Sequence, residues 1–202
     1  MATNAMRAAR RRHPTVLLTV GHSTRARDYF IALLRAHNVK QLADVRTIPR
    51  SRHNPQFNRD RIASALQRSG IRYVHMKALG GLRHPRSNSI NTGWHNASFR
   101  GYADHMQTPE FAEGLLRLMK MAKTKRMAIM CAEAVPWRCH RSLIADALTA
   151  RGYQVEEIES LKRTRPHVLT PWARVQGSKI TYPPAQSGKA GGTRRRRPTN
   201  SS

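Results

Sequence analysis

At 202 residues with 39% hydrophobic content, the chain is long enough for one α/β-sized domain with a sizeable core. No apolar run approaches the roughly 20 residues needed to span a membrane. Two cysteines, Cys131 and Cys139, exclude a disulfide framework in a chain this long. Lys and Arg outnumber Asp and Glu by 37 to 11, a formal charge of +26, which suits a polyanionic partner.

The charge is unevenly spread. All acids fall between Asp28 and Glu159, so residues 15–160 carry 23 basic residues and a net +12, while the flanks carry 14 basic residues and no acid. Met1 to His13 is rich in Ala and Arg and lacks the apolar core of a secretory signal. We expect a basic arm over 1–14 in a cytoplasmic protein, in preference to a transit-type leader.

In chain order, Thr15–Val20 is a β-branched apolar run closed by Gly21 and predicts a buried strand. Phe30, Leu33 and Leu34 recur at helical spacing over Asp28–Ala36. Leu42–Val45 predicts a second strand, followed by a loop with Pro49 and Pro55. Asn58 and Gly70 bracket a second helix. Ile71–Met76 predicts a third strand, and Leu79–Ala97 a long loop rich in Gly, Pro and Asn. Thr108-Pro109-Glu110 opens a helix with Phe111, Leu115 and Leu118 on one side. Met127–Ala132 predicts a fourth strand, Pro136–Ala150 a helix, and Tyr153–Ile158 a fifth strand.

Five apolar strands separated by helices predict an α/β fold: a mostly parallel sheet with helices on both faces, a Rossmann-like three-layer arrangement. The domain is expected over 15–160, a partly ordered extension over 161–182 and a disordered basic tail over 183–202. Ligands of such folds bind at the carboxyl ends of the strands.

Four successive strand ends deliver chemically capable residues to that edge: His22 and Ser23, Asp44 and Arg46, His75 and Lys77, then Cys131 and Glu133. Alternation along the strand exit sends Cys131 and Glu133 to one side, a candidate nucleophile beside a candidate acid/base. Asp44 is a candidate second acid/base. Arg46, Arg100, Tyr102, Cys139, His140 and Arg141, with His22 and Ser23, are candidates for holding an anionic substrate at a helix amino end. Arginines interleaved with Phe57, Trp94 and Phe99 suit phosphate and base contacts. The same aromatics could instead pin a loop to the body.

Two motifs fail. The Cys-x5-Arg phosphatase loop would need arginine where Trp137 stands, and the zinc deaminase signature needs a second cysteine after Cys139. Cys131, Cys139, His140 and Glu133 are ligand types for zinc or iron. Adjacent helical residues point about 100° apart, so a metal is not favoured.

In these residues the chain resembles domain-of-unknown-function (DUF) family 488. The resemblance runs through Gly21-His22-Ser23, Asp44-Val45-Arg46 with Pro49 and Ser51, Leu79-Gly80-Gly81, Phe99-Arg100-Gly101-Tyr102-Ala103-Asp104, Cys131-Ala132-Glu133 and Cys139-His140-Arg141. It covers residues 15–160 and implies a compact α/β domain with a shared polar pocket, but no particular reaction. The residues themselves support an enzyme, a hydrolase or transferase acting on a nucleic acid or nucleotide-like anion. The alternatives are a non-catalytic nucleic-acid-binding module and a redox protein using Cys131 and Cys139, which requires the sulfurs within disulfide reach.

Overall fold

The computed structural model describes residues 16–184. The basic arm over 1–14, Thr15 and most of the tail after Pro183 lie outside the described residues.

Five parallel strands form the sheet: β1 (Val16–Gly21), β2 (Gln41–Asp44), β3 (Arg72–His75), β4 (Met127–Cys131) and β5 (Gln154–Ile158). A sixth, β6 (Thr164–Pro166), adds antiparallel to β5, giving the order β3-β2-β4-β1-β5-β6. Near-continuous burial of β1, β2 and β4 follows from cover on both faces. Helices α1 (Arg27–Ala36) and α2 (Arg59–Arg68) cover one face through Phe30, Leu33, Leu34, Ile62 and Leu66. The other face carries α3 (Ala97–His105), α4 (Pro109–Ala122) and α5 (Arg141–Thr149). The fold is therefore the expected mostly parallel three-layer α/β arrangement.

The ends of elements follow local chemistry. The Thr108 side chain caps α4, accepting from Phe111 N, with Pro109 at the first position. Asn58 precedes α2 as expected, but its side chain accepts from Ser51 N instead of a helix amide. Two departures matter for the site. The helix expected from Pro136 is broken: a single 3-10 turn (Pro136–Arg138) is followed by extended backbone at Cys139, and α5 begins only at Arg141. Helix α3 was not expected; Asn96 caps it by accepting from Ser98 N and Phe99 N.

Buried carboxylates tie the long connections down. Asp104 accepts from Arg86 N, Ser89 Oγ and Asn91 Nδ2, fixing the loop before α3. Asp146 on α5 accepts from His167, Thr170 N and the Tyr182 hydroxyl. The segment after β6 includes the hairpin β7 (Arg174–Gln176) and β8 (Lys179–Thr181), and it ends with Tyr182 fully buried.

Candidate active site

β1 and β4 are neighbours, yet the chain leaves them for opposite faces of the sheet, β1 into α1 and β4 into α5. Such a switch opens a crevice at the strands' carboxyl ends. Here the ladder continues past the strands, with His22 N donating to Cys131 O and Ser23 N to Ala132 O. The loop after β4 crosses so tightly over β1 that a Cβ on Gly21 would collide with the Glu133 carbonyl. Only glycine fits there.

The crossing aims Cys131 inward. Its Sγ lies 2.6 Å from Cys139 Sγ and 3.0 Å from Arg141 Nη1, and both cysteines are free thiols. The extended backbone at Cys139 lets its thiol face Cys131, and the Arg141 amide approaches Cys139 Sγ at 3.4 Å. Burial opposes ionisation of Cys131, but the hydrogen bond from Cys139 and the charge of Arg141 hold its thiol below the usual range. The same contact works in reverse on Cys139, which is held well above it. Of the two, Cys131 is thus the more readily ionised and Cys139 the more firmly held as a thiol.

The β2 end supplies the opposite wall. Asp44, fully buried, accepts from the Arg46 amide, from Arg46 Nε and Nη2, and from the Tyr73 hydroxyl at 2.6 Å. Arg46 Nη2 also donates to Phe57 O, and Nη1 lies 3.2 Å from His22 Nε2. His22 donates from Nδ1 to Ser23 O and stacks on Phe57 at 4.2 Å. Its Nε2 therefore offers a lone pair to Arg46, and burial pushes its pKa down to about 4. His140 donates from Nε2 to Val45 O and points its bare Nδ1 at Cys139 Sγ, 3.7 Å away. Burial also takes His140 to about 4. A Cβ on Gly81 would strike this ring, so that glycine lets the loop after β3 close over it.

These residues face a cavity of about 450 Å³ that includes Cys131, Cys139, His140, His22 and Arg46, with Arg50 and Arg138 exposed beside them. Several expected roles are redistributed. Glu133 lines the same cavity but is exposed, because the strand ends at Cys131 and its alternation stops; its carbonyl approaches Cys131 at 3.8 Å and Arg141 at 3.3 Å. Asp44 is saturated by Arg46 and Tyr73 and positions Arg46. Arg141 is buried between Cys131 and Glu157 Oε1, 2.8 Å from the latter, and holds the thiol. Tyr102 is core: its hydroxyl donates to Leu79 O, and its ring packs on His140 at 4.9 Å. Arg100 on α3 and Ser23, which has φ 46°, both lie outside the cavity wall. Among the described residues, no three His, Cys, Asp or Glu side chains are grouped to hold a metal ion. Trp94 and Phe99 stack on each other at 4.7 Å and pin their loop to the body.

Sequence reasoning missed Glu157, Arg50 and Tyr73, while Arg138, legible beside Arg141 as an anion contact at the helix amino end, does line the cavity. Glu157 had left a trace: in Gln154–Ile158 it shares a face with Val155, a carboxylate at an inward position of a buried strand.

Searches of curated proteins and of solved structures found no match. Residues 26–148 match the family described as Domain of unknown function DUF488, a span that holds β2, β3, β4, the Cys131–Cys139 pair and Arg141. The chain belongs to that family.

Proposed function

We propose that the protein is a thiol-dependent enzyme, a hydrolase or transferase in which the Cys131 thiolate attacks a nucleotide-like or nucleic acid substrate. The observation that carries the reading is the placement of Cys131 Sγ between Cys139 Sγ at 2.6 Å and Arg141 Nη1 at 3.0 Å, on the wall of a cavity with three arginines. A buried thiol with a cation and a donor thiol on it is an activated nucleophile, since the thiolate and not the thiol reacts. Arg46, Arg50 and Arg138 supply donors for an anionic group. In this reading Cys139, the thiol held above its ordinary range, gives its proton to the leaving group, with His140 behind it. The basic flanks add general affinity for a polyanion.

The pH midpoint of Cys131 alkylation by iodoacetamide, read by mass spectrometry, tests this reading because a midpoint does not depend on access. It should fall below that of an ordinary thiol. Cys131→Ser should abolish turnover of nucleotides or short DNA and RNA while leaving the fold intact. An ordinary midpoint together with a silent serine variant would leave a non-catalytic binding module.

The sulfur separation also favours a second reading, a dithiol protein whose Cys131 and Cys139 interconvert with a disulfide. Reversible loss of two hydrogens from the protein mass would select it.

A further inference from the structure

Arg141 has a second side. Its guanidinium, which reaches Cys131, also lines a second cavity of about 570 Å³, which the chemistry proposed for Cys131 does not use. Pro136 and Trp137 from the turn before α5 form one wall, and Val168 and Trp172 from the segment after β6 form the other. Arg141 and Glu157 line it as a buried ion pair. Trp137 is 58% and Val168 80% exposed, and the Arg165 guanidinium lies over the Trp137 ring at 5.1 Å. Large apolar side chains left in water around a concave site mark a place for a ligand, and the volume suits a small molecule.

The chemistry of the lining selects the ligand. Glu157 Oε1 accepts from Arg141 and Oε2 from the Thr19 hydroxyl, and each oxygen keeps a further lone pair. A carboxylate offers only acceptors, so an occupant must bring N–H or O–H donors. Glu157 is already paired with Arg141, so its remaining lone pairs call for a neutral donor and not a second charge, and a purely aliphatic group would bury the carboxylate without another donor. An exposed indole prefers a flat π-face. We propose that this cavity binds a planar nitrogen heterocycle of the nucleobase type, its face on Trp137 and its N–H edge on Glu157.

Occupancy reports to the thiol. Glu157 and Cys131 share one guanidinium, and the charge of Glu157 opposes ionisation of Cys131. Donors from the ligand partly neutralise that charge and leave more of Arg141 for the thiolate. Binding is independent of the reaction assigned to Cys131; only this linkage rests on that thiol.

The test is calorimetric titration of the full chain with adenosine, guanosine, cytidine and uridine. At least one should bind saturably at submillimolar concentration. Trp137→Ala, at an exposed position that does not threaten the fold, should weaken it roughly tenfold, the range for loss of one stacked base. Glu157→Gln should level the affinities among the four nucleosides. Binding is read from heat and needs no reactive thiol, so an inert Cys131 would not disturb the result. Absence of saturable binding up to millimolar nucleoside, or unchanged affinity in Trp137→Ala, overturns the proposal. A saturating nucleoside should speed Cys131 alkylation about twofold below the thiol's midpoint, a shift of about 0.3 pKa units. Equal rates with and without nucleoside would overturn the linkage.

Discussion

Arg141 Nη1 lies 3.0 Å from Cys131 Sγ, so the guanidinium that begins α5 ends on the thiol that ends β4. Its other terminal nitrogen is committed to Glu157. Lysine carries the charge but cannot reach both partners with a fixed fork. Arg141→Lys should therefore raise the pH midpoint of Cys131 alkylation, by about one unit, because an ammonium held by Glu157 no longer sits against the thiolate. Glu157→Gln should lower it, because it removes the acid that competes for Arg141. Identical midpoints in both variants would show that this ion pair does not tune the thiol.

The order of the five parallel strands and the edge of the sheet that carries the candidate site were legible in the sequence, because both depend on hydrophobic periodicity and on where each apolar run ends; α3 and the short strands after β5 were not. The contacts within the site were not. Cys131 and Glu133 share a side only while the strand continues, and it ends at Cys131, so the two line one cavity but meet through the Glu133 carbonyl. Cys139 and Cys131 meet because the backbone at Cys139 is extended, which a helix assumed from Pro136 conceals. Arg141 and Glu157 are 16 residues apart and meet only when β5 is laid beside β1. Conversely, Tyr102 and Asp104 carry a family motif for reasons of packing: one reaches Leu79 O, and the other anchors the loop from Arg86 to Asn91.

Asp44 and Arg46 test the difference between an acid/base and a positioning group. Their ion pair is buried, at 2.6 Å, and Asp44 has no exposed surface. Asp44→Ala should cost about 3–5 kcal/mol in denaturant unfolding, the range for stranding one member of a buried pair. A stable Asp44→Ala protein would mean that Arg46 finds another partner.

Oxidation separates the two cysteines. With hydrogen peroxide, the Cys131 thiolate takes one oxygen to become a sulfenic acid and releases water. The Cys139 thiol then displaces a second water to close the disulfide. Mass spectrometry should show net loss of two hydrogens in the unaltered protein. Cys139→Ser should instead accumulate the sulfenic acid, which dimedone traps on Cys131. Two intact thiols after peroxide treatment would argue against the dithiol reading.

Acid should destabilise the fold through its two site histidines. His22 and His140 are held near pKa 4 in the folded chain, against 6.5 in an unfolded one. Between these values the unfolded chain binds protons that the folded chain refuses, so stability is full above about pH 6.5 and falls as pH drops towards 4. Each shift is worth roughly 3 kcal/mol. Denaturant midpoints should fall steadily from pH 7 to 4, and His22→Gln should flatten the fall by preserving the acceptor for Arg46 without a titrating group. A flat profile in the unaltered protein would mean that both rings are protonated in place.

The flanks should govern how strongly any nucleic acid binding responds to salt. Arg7, Arg10, Arg11 and Arg12 precede the described residues, and Lys189 with Arg194, Arg195, Arg196 and Arg197 follow them. Each phosphate neutralised releases condensed counterions, and the logarithm of affinity falls with the logarithm of salt by about 0.9 per contact on duplex DNA. If all nine side chains engage, removing both flanks should reduce the slope by about 8; partial engagement should reduce it in proportion. The cavity arginines Arg46, Arg50 and Arg138 remain in the trimmed protein, so binding of a mononucleotide should change little. Fluorescence anisotropy with a labelled duplex and a labelled mononucleotide, across 50–300 mM salt, reads both. Equal slopes for the full and trimmed chains on the duplex would remove the flanks from nucleic acid recognition and leave it to the body alone.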